Sequence, residues 1–259
     1  MLRALVEAGI QPDLIVGASV GALNGAHFAG RPDIEGVTAL ADLWSSIKRP
    51  HVFPFRPRTL VGGITGRQGH IVDPQGLRAL LERATTTYQR IEEASIPLYV
   101  VATDTGHGGA VVISEGSVVE ALMASAALPG IYPPVEIGGR MMIDGGVAAN
   151  IPVVQAAYLG ATTIYVLSTV PPMGALPDRT AADMVLRAMV LATAPIVAAD
   201  MAEASRLADV VVVPLPQAGP RSMFDFGTTR QLIDRSYHSA SEWAEKLMDA
   251  ERTLPLTQP

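Results

Sequence analysis

A serine between two glycines is the first feature of the sequence whose spacing suggests a reactive group. Residues 17–21 read GASVG, the GxSxG pattern that places a serine on a sharp turn between a strand and a helix. The residues before it, DLIV, predict a strand, and those after it predict a helix. We expect that only glycine fits at positions 17 and 21, because side chains there would collide across the turn. Ser19 is therefore a candidate nucleophile, at a helix N-terminus whose dipole favours developing negative charge.

Two other interpretations fit the same residues. Ser19 in a glycine-rich turn is also compatible with an ordinary helix N-cap. Gly17, Gly21 and Gly25 recur after a strand, as in a dinucleotide-binding loop, but their spacing differs from GxGxxG. The strand before Ser19 and the helix after it favour the nucleophile turn.

A serine hydroxyl is a weak nucleophile and needs an adjacent base. Asp144 is the candidate, because it follows the apolar residues 141–143 (MMI) and precedes Gly145 and Gly146. Glycines after a strand-end aspartate allow another loop to approach it closely. The local sequence fits an Asp-Gly hairpin turn equally well. Residues 150–152 (NIP) then predict the start of a helix.

Histidine is the conventional alternative base. The order nucleophile, acid, histidine nominates His238 for a Ser-His-Asp esterase. His238 lies within a helical pattern beside Tyr237, however, and the few residues before Ser19 cannot form the strands that precede the nucleophile in that fold. Asp144 is therefore favoured, and His238 stays as the alternative. The other histidines are His27, His51, His70 and His107.

The elements that must position these side chains alternate along the chain. Continuous β-branched runs, typical of strands covered on both faces, predict strands at 13–17, 97–103, 163–169 and 209–213. Weaker strand candidates lie at 110–114 and 140–143. Helical patterns occupy 2–9, 20–29, 35–48, 75–84, 117–127, 153–159, 180–207 and 228–250. This alternation predicts one α/β domain over residues 1–259, a three-layer α/β/α sandwich with a mostly parallel central sheet.

Two segments stand apart from this pattern. Residues 50–74 are rich in proline, glycine and basic residues, which predicts either an irregular surface loop or a mobile flap over the active site. Residues 184–202 form the most apolar long window, interrupted by Arg187, Pro195 and Asp200. We interpret this window as a buried helix that bends or breaks near Pro195, not as a membrane span.

Composition narrows the class of protein. Hydrophobic residues make up 49% and charged residues 17% of the chain, which excludes disorder. The net charge of -6 and the lack of a Lys/Arg cluster argue against nucleic-acid binding and against strong attraction to anionic lipid. The absence of cysteine excludes disulfides and thiolate chemistry. The N-terminal residues lack a signal-peptide pattern, so we expect a cytoplasmic protein, peripheral to membranes at most.

Taken together, five blocks resemble the patatin-like phospholipase family. They are residues 15–25 (IVGASVGALNG), 100–104 (VVATD), 124–135 (ASAALPGIYPPV), 144–146 (DGG, continuing as VAANIP) and 224–237 (FDFGTTRQLIDRSY). The resemblance implies a patatin-like fold and a Ser19–Asp144 dyad without histidine. It implies lipid acyl esters, especially phospholipids and lysophospholipids, as substrates. It also implies that no metal or cofactor is required.

The sequence departs from the family pattern at one point. Family members carry a glycine-rich loop, roughly GGGxxG, before the nucleophile strand, and its N–H groups form the oxyanion hole. Residues 1–9 resemble the helix that follows this loop, so we expect the loop to be missing and leave the oxyanion hole unassigned. The glycine pairs 62–63, 108–109 and 138–139 are expected to be turns. A catalytically impaired lipid-binding protein is therefore a second alternative to a lipid acyl hydrolase.

Overall fold

The computed structural model describes residues 1–54, 56–168, 180–216 and 225–253, in which helices and strands alternate. The helices are α1 (Leu2–Glu7), α2 (Val20–Gly30), α3 (Ile34–Ser46), α4 (Arg49–Val52), α5 (Pro57–Ile64), α6 (Gln75–Ala84), α7 (Val118–Ser125), α8 (Val153–Tyr158), α9 (Ala181–Leu207) and α10 (Thr229–Thr253). The strands are β1 (Ile15–Ala18), β2 (Leu98–Asp104), β3 (Ala110–Ile113), β4 (Val135–Ile137), β5 (Arg140–Asp144), β6 (Thr163–Val166) and β7 (Asp209–Val212). Short 3-10 turns follow at Ile91–Glu93 and Gly145–Val147.

Strand β2 organises the larger sheet. It pairs in parallel with β1 and antiparallel with β3 and β5, and β5 pairs antiparallel with β4. Its residues 98–101 face β1 and residues 102–104 face β5, whereas β3 lies along the opposite edge. Ala18 is thus opposite Val101 and Asp144 is opposite Ala102. The C-terminal ends of β1 and β5 therefore meet at neighbouring positions on one edge of β2.

Strands β6 and β7 form a second, parallel pair. Helices α8 and α9 pack on this pair around a cluster that includes Val154, Ile164, Val166 and Ala204. Val16 of β1 packs against the same cluster, which joins the two sheets. Helix α2 packs on β1 and α7 on β2, over a core that contains the buried residues Phe28, Leu81, Leu122, Val100 and Met142.

The predicted α/β class is confirmed. The strands that the sequence predicts strongly and those that it predicts weakly also differ in how they pair. The four strands predicted from continuous β-branched runs form the parallel pairs β1–β2 and β6–β7. The two weaker candidates, β3 and β5, pair antiparallel with β2. The expectation that all four strong strands are covered on both faces is wrong for β7, where Val212 is half exposed. In the described residues β7 pairs with β6 alone, which leaves its outer edge uncovered.

All eight predicted helices are present, but the loop interpretation of residues 50–74 is wrong in part. This segment holds the end of α4 and the whole of α5, which begins at Pro57, where a proline fits a helix start. Residue 55 lies outside the described residues. Gly62 and Gly63 belong to α5 and do not form the predicted turn. The pair 138–139 does form one: both residues have positive φ, 57° and 75°, in the hairpin between β4 and β5.

Helix α9 corrects one expectation about residues 184–202 in full and another in part. It continues without a break through Pro195, which excludes the predicted break, whereas a bend at Pro195 stays a prediction. It is also not a buried helix, because only 6% of its most apolar window is buried and the rest is partly or fully exposed. Among the described elements, its main packing partners are α8, β7 and the turn Gly145–Val147. Within the described residues, Asp183–Leu207 is the one helical stretch long and apolar enough to cross a membrane.

Candidate active site

The turn between β1 and α2 holds Ser19 in an unusual conformation. Its φ of 51° and ψ of -123° make it the only described residue other than glycine with a positive φ. Such a conformation costs about 1–3 kcal/mol and persists where the surrounding structure enforces it. Ser19 occupies the N-cap position of α2, but its side chain makes no capping hydrogen bond. The hydroxyl is free to point elsewhere.

The two glycines of the GxSxG pattern differ in their surroundings. A Cβ on Gly17 would lie 2.6 Å from the backbone nitrogen of Ala22, so no side chain fits there. A Cβ on Gly21 would meet no described atom within 4 Å. The predicted steric requirement is therefore correct for Gly17 and wrong for Gly21. The sharp turn folds the backbone of Gly21 and Ala22 back over Gly17, whereas a Cβ on Gly21 would point away from that contact.

Ser19 and Asp144, 125 residues apart in the sequence, are in direct contact. The Ser19 hydroxyl donates a hydrogen bond of 2.6 Å to Oδ2 of Asp144. The other carboxyl oxygen, Oδ1, accepts a 2.8 Å hydrogen bond from the backbone N–H of Gly146. The carboxyl is buried, with 2% of the residue exposed, whereas Ser19 is partly exposed. The pair therefore has one protected member and one that a substrate can reach.

Burial changes the acidity of this carboxyl. Desolvation raises the pKa of Asp144 from 3.8 to about 6, against the opposing effect of the hydrogen bonds from Ser19 and Gly146. A carboxylate with this pKa is a stronger base than an exposed aspartate, yet it is still largely ionised at neutral pH. Asp144 thus combines the protonation state and the basicity that a proton acceptor needs.

Neighbouring groups fix Asp144 through its backbone. Its N–H donates to the carbonyl of Ala127 at 2.9 Å, and its carbonyl accepts from the Thr103 hydroxyl at 2.8 Å. A Cβ on Gly145 would lie 2.1 Å from the carbonyl oxygen of Val101, so the chain after Asp144 packs directly on β2. The alternative of an Asp-Gly hairpin is wrong, because β5 leads into the 3-10 turn Gly145–Val147 and not into a paired strand.

A second serine, Ser125, which was not predicted from the sequence, contacts the backbone of the candidate nucleophile Ser19. The backbone N–H of Ser19 donates to the Ser125 hydroxyl at 2.8 Å. That hydroxyl in turn donates to the carbonyl of Val101 at 2.6 Å, and Ser125 is fully buried. The available signal was a serine at the end of the apolar helix α7, inside the block 124–135.

The site can now be compared with known proteins. The sequence profile of the patatin-like phospholipases matches residues 1–157, which include both Ser19 and Asp144. The chain belongs to the patatin-like phospholipase family. Its layered α/β fold is the patatin-like three-layer architecture that the sequence predicts.

Curated relatives of this patatin-like protein are much longer than the chain. The lysophospholipase nte1 of Emericella nidulans is 27% identical over 180 residues, which cover 70% of this chain and 11% of that protein. The patatin-like phospholipase domain-containing protein 7 of Rattus norvegicus is 28% identical over 63% of this chain and 12% of its own length. An uncharacterized NTE family protein of Mycobacterium tuberculosis is 32% identical over 62% of this chain and 42% of its own length.

Two histidines, His238 and His27, make contacts with residues other than Ser19 and Asp144. His238 lies on the exposed side of α10, with its ring centroid 5.6 Å from that of Tyr237, and α10 packs against α1 and α3. The ring nitrogens of His27 lie 2.8 and 3.1 Å from the carbonyl oxygens of Ala84 and Gly36. In the described part of the chain, no group of three or more His, Asp or Glu side chains forms a metal-binding cluster.

Proposed function

We propose that this patatin-like protein hydrolyses acyl esters of lipids with Ser19 as nucleophile and Asp144 as general base. The observation that carries the proposal is the 2.6 Å hydrogen bond from the Ser19 hydroxyl to a buried carboxylate. Hydrogen-bond contact between nucleophile and base is the geometric requirement for covalent catalysis of this kind. The family to which the chain belongs supports the substrate class.

In the first half-reaction, Ser19 Oγ attacks the ester carbonyl and its proton passes to Asp144 Oδ2. The tetrahedral intermediate then collapses, the bond to the alcohol breaks, and the alcohol leaves with the proton from Asp144. In the second half-reaction, Asp144 takes a proton from water, which attacks the acyl group on Ser19. Collapse releases the fatty acid and returns the proton to the serine, so one water is consumed for each ester.

The N-terminus of α2 supplies hydrogen-bond donors near the reacting carbonyl. Helix α2 begins at Val20, directly after the nucleophile, and the first N–H groups of a helix have no acceptor within it. The N–H of Ser19 itself already donates to Ser125. We therefore assign the first turn of α2, starting at Val20, as one source of stabilisation for the oxyanion.

The substrate is proposed to be a phospholipid or lysophospholipid. The nte1 relative of Emericella nidulans is named a lysophospholipase, which supports this class. Lipid esters are found in or near membranes, so we propose a cytoplasmic protein in transient contact with a membrane surface. Neither a metal ion nor a cofactor enters the proposed reaction, and no nucleic acid is proposed as a partner.

The dyad is tested with three variants of the 259-residue chain and lysophosphatidylcholine as substrate. Asp144→Asn keeps the shape of the side chain but removes its ability to accept the serine proton, so hydrolysis should fall by about 10²–10⁴ while the fold is retained by circular dichroism. Ser19→Ala should be equally inactive. His238→Asn is the matched control and should keep wild-type activity.

Other outcomes would point elsewhere. Full activity in folded Asp144→Asn would end the dyad assignment, and loss of activity in His238→Asn would favour the Ser-His-Asp esterase. A fluorophosphonate probe should label Ser19, as located by mass spectrometry. Labelling of a different serine, with Ser19 unmodified, would remove it as the nucleophile. Lipid binding without any turnover that depends on Ser19 would favour a lipid-binding protein that only keeps the fold.

A further inference from the structure

The outer face of α9 differs from an ordinary protein surface. Between residues 184 and 202, every exposed residue of the helix is apolar. The largest of these side chains are Met184, Val185, Leu191 and Ile196, with exposed fractions of 50%, 55%, 49% and 41%. Single exposed apolar residues are normal on a protein surface, but a continuous face of them marks an interaction site.

Two polar residues of α9 are buried against the domain, whereas Arg187, Asp200 and Glu203 are partly exposed. Asp183 is 1% exposed and caps the helix start with Thr180, and Thr193 is 8% exposed. Glu203 accepts a hydrogen bond from the Tyr158 hydroxyl of α8. Residues 184–202 therefore expose mainly apolar side chains, with only two partly exposed charged residues, which differs from a usual surface helix in water.

The size of this face favours a lipid surface over a second copy of the chain. At a rise of about 1.5 Å per residue and a width of about 10 Å, residues 184–202 present roughly 300 Å². A stable protein dimer buries about 800 Å² per partner and has a polar rim with hydrogen bonds. A narrow, largely apolar strip about 28 Å long, in which Arg187 and Asp200 are only partly exposed, instead suits a helix that lies in the headgroup region of a bilayer.

The position of α9 connects this face to the active site. Helix α9 contacts the turn Gly145–Val147, which directly follows Asp144, and it packs along α8. A membrane that binds the outer face of α9 therefore binds a helix that itself contacts the turn after Asp144. Because α8 and β7 cover the other side of α9, the helix can lie on a bilayer while it remains packed on the domain.

We propose that the outer face of α9 docks this protein onto zwitterionic phospholipid bilayers, with the helix parallel to the membrane plane. The choice of a lipid surface rests on the proposed function, since a lipid hydrolase must reach its substrate there. The net charge of -6 favours a zwitterionic over an anionic surface, because like charges repel. The attraction is hydrophobic, so binding should persist when the salt concentration is raised.

Flotation with vesicles of phosphatidylcholine tests the docking directly. Wild-type protein should float with the vesicles in both 0.05 M and 0.5 M NaCl. The double variant Leu191→Glu/Ile196→Glu places two charges at half-exposed positions of this face and should reduce the bound fraction about tenfold or more. The control Val112→Glu/Met141→Glu adds the same charge at exposed positions of β3 and β5 and should bind like wild type.

Three flotation results would overturn the proposal. In the first, wild-type protein does not float with the vesicles, and in the second, the α9 variant floats as well as wild type. In the third, wild-type protein floats in 0.05 M NaCl but not in 0.5 M NaCl. A wild-type dimer that becomes monomeric in the α9 variant, without vesicle binding, would assign the face to a second copy. Labelling of Ser19 by a fluorophosphonate in the absence of vesicles separates the two proposals. Labelling should be equal in wild type and the α9 variant, and its failure in both would count against the catalytic proposal alone.

Discussion

At the scale of single residues, Asp144 carries the pH dependence of the proposed reaction. Its raised pKa of about 6 means that the base is protonated, and so inactive, below that pH. We expect kcat/KM for a soluble short-chain ester to rise about tenfold per pH unit below pH 6 and to level off above pH 7. Assays between pH 4.5 and 8.5 measure this. A profile without a step near pH 6 would contradict the assignment.

The same carboxyl should make the protein less stable as the pH rises. Burial raises the pKa of Asp144 from 3.8 to about 6, so the folded state binds this proton more tightly than the unfolded state. The resulting stability is complete below about pH 4 and is lost through pH 6, a change of about 3 kcal/mol. Asn at this position has no such proton. Between pH 4 and pH 8, the free energy of unfolding of Asp144→Asn, measured with denaturant, should therefore rise relative to that of wild type by up to this amount. The same pH dependence in both proteins would contradict the prediction.

Ser125 is expected to matter through the backbone of the nucleophile. Ser125→Ala removes the acceptor for the Ser19 N–H, which then lies unsatisfied in a partly buried turn. The variant should lose about 1–3 kcal/mol of unfolding free energy, and its Ser19 should react more slowly with a fluorophosphonate. The exposed Ser205 on α9 offers a control, since Ser205→Ala removes a hydroxyl without a buried partner. Equal stability and equal labelling of the two variants would exclude a positioning role for Ser125.

At the scale of elements, the two glycines of the nucleophile turn should respond in opposite ways. Gly17→Ala forces a methyl group against the backbone of α2 and should destabilise the protein by about 1–3 kcal/mol or more. Gly21→Ala places a methyl group in open space inside a helix and should be neutral or stabilising by up to about 1 kcal/mol. Thermal unfolding of both variants checks the contrast. A Gly21→Ala protein as unstable as Gly17→Ala would contradict the difference in their surroundings.

The elements that the sequence predicts well are those fixed by local requirements. Ser19 is recognisable because a strand, a turn and a helix follow one another within a few residues. The strands with continuous β-branched runs were predictable because a parallel pairing places apolar groups on both faces. The role of Ser125 was not, because its partner lies 106 residues away. The exposure of α9 was not predictable either, because an apolar window does not indicate what covers it.

At the scale of the whole molecule, the convergence at the active site comes from strand register. The sequence predicts Ser19 and Asp144 as separate strand-end residues, and no local signal shows that β1 and β5 meet on the same edge of β2. Their pairing depends on β5 running antiparallel to β2, which the weak pattern of residues 140–143 did not indicate. The family resemblance, and not the local sequence, connected the two residues.

The flap interpretation of residues 50–74 is a further prediction at this scale. The segment is anchored at both ends: the Val52 carbonyl accepts from the Tyr132 hydroxyl, and the Val72 N–H donates to Ile131. Between these anchors, α5 leaves Val61 and Ile64 largely exposed. We expect amide hydrogens of residues 57–69 to exchange faster than those of α6, as measured by mass spectrometry. Protection equal to that of α6 would show that the segment is a fixed part of the domain.

The strained turn at Ser19 also bears on the history of the chain. A left-handed conformation at serine costs free energy that glycine would not require. A lineage released from selection for ester hydrolysis would become more stable by drifting to glycine at this position. The buried aspartate opposite Ser19 also destabilises the fold when it is ionised. We expect both residues to be kept where selection for catalysis still acts.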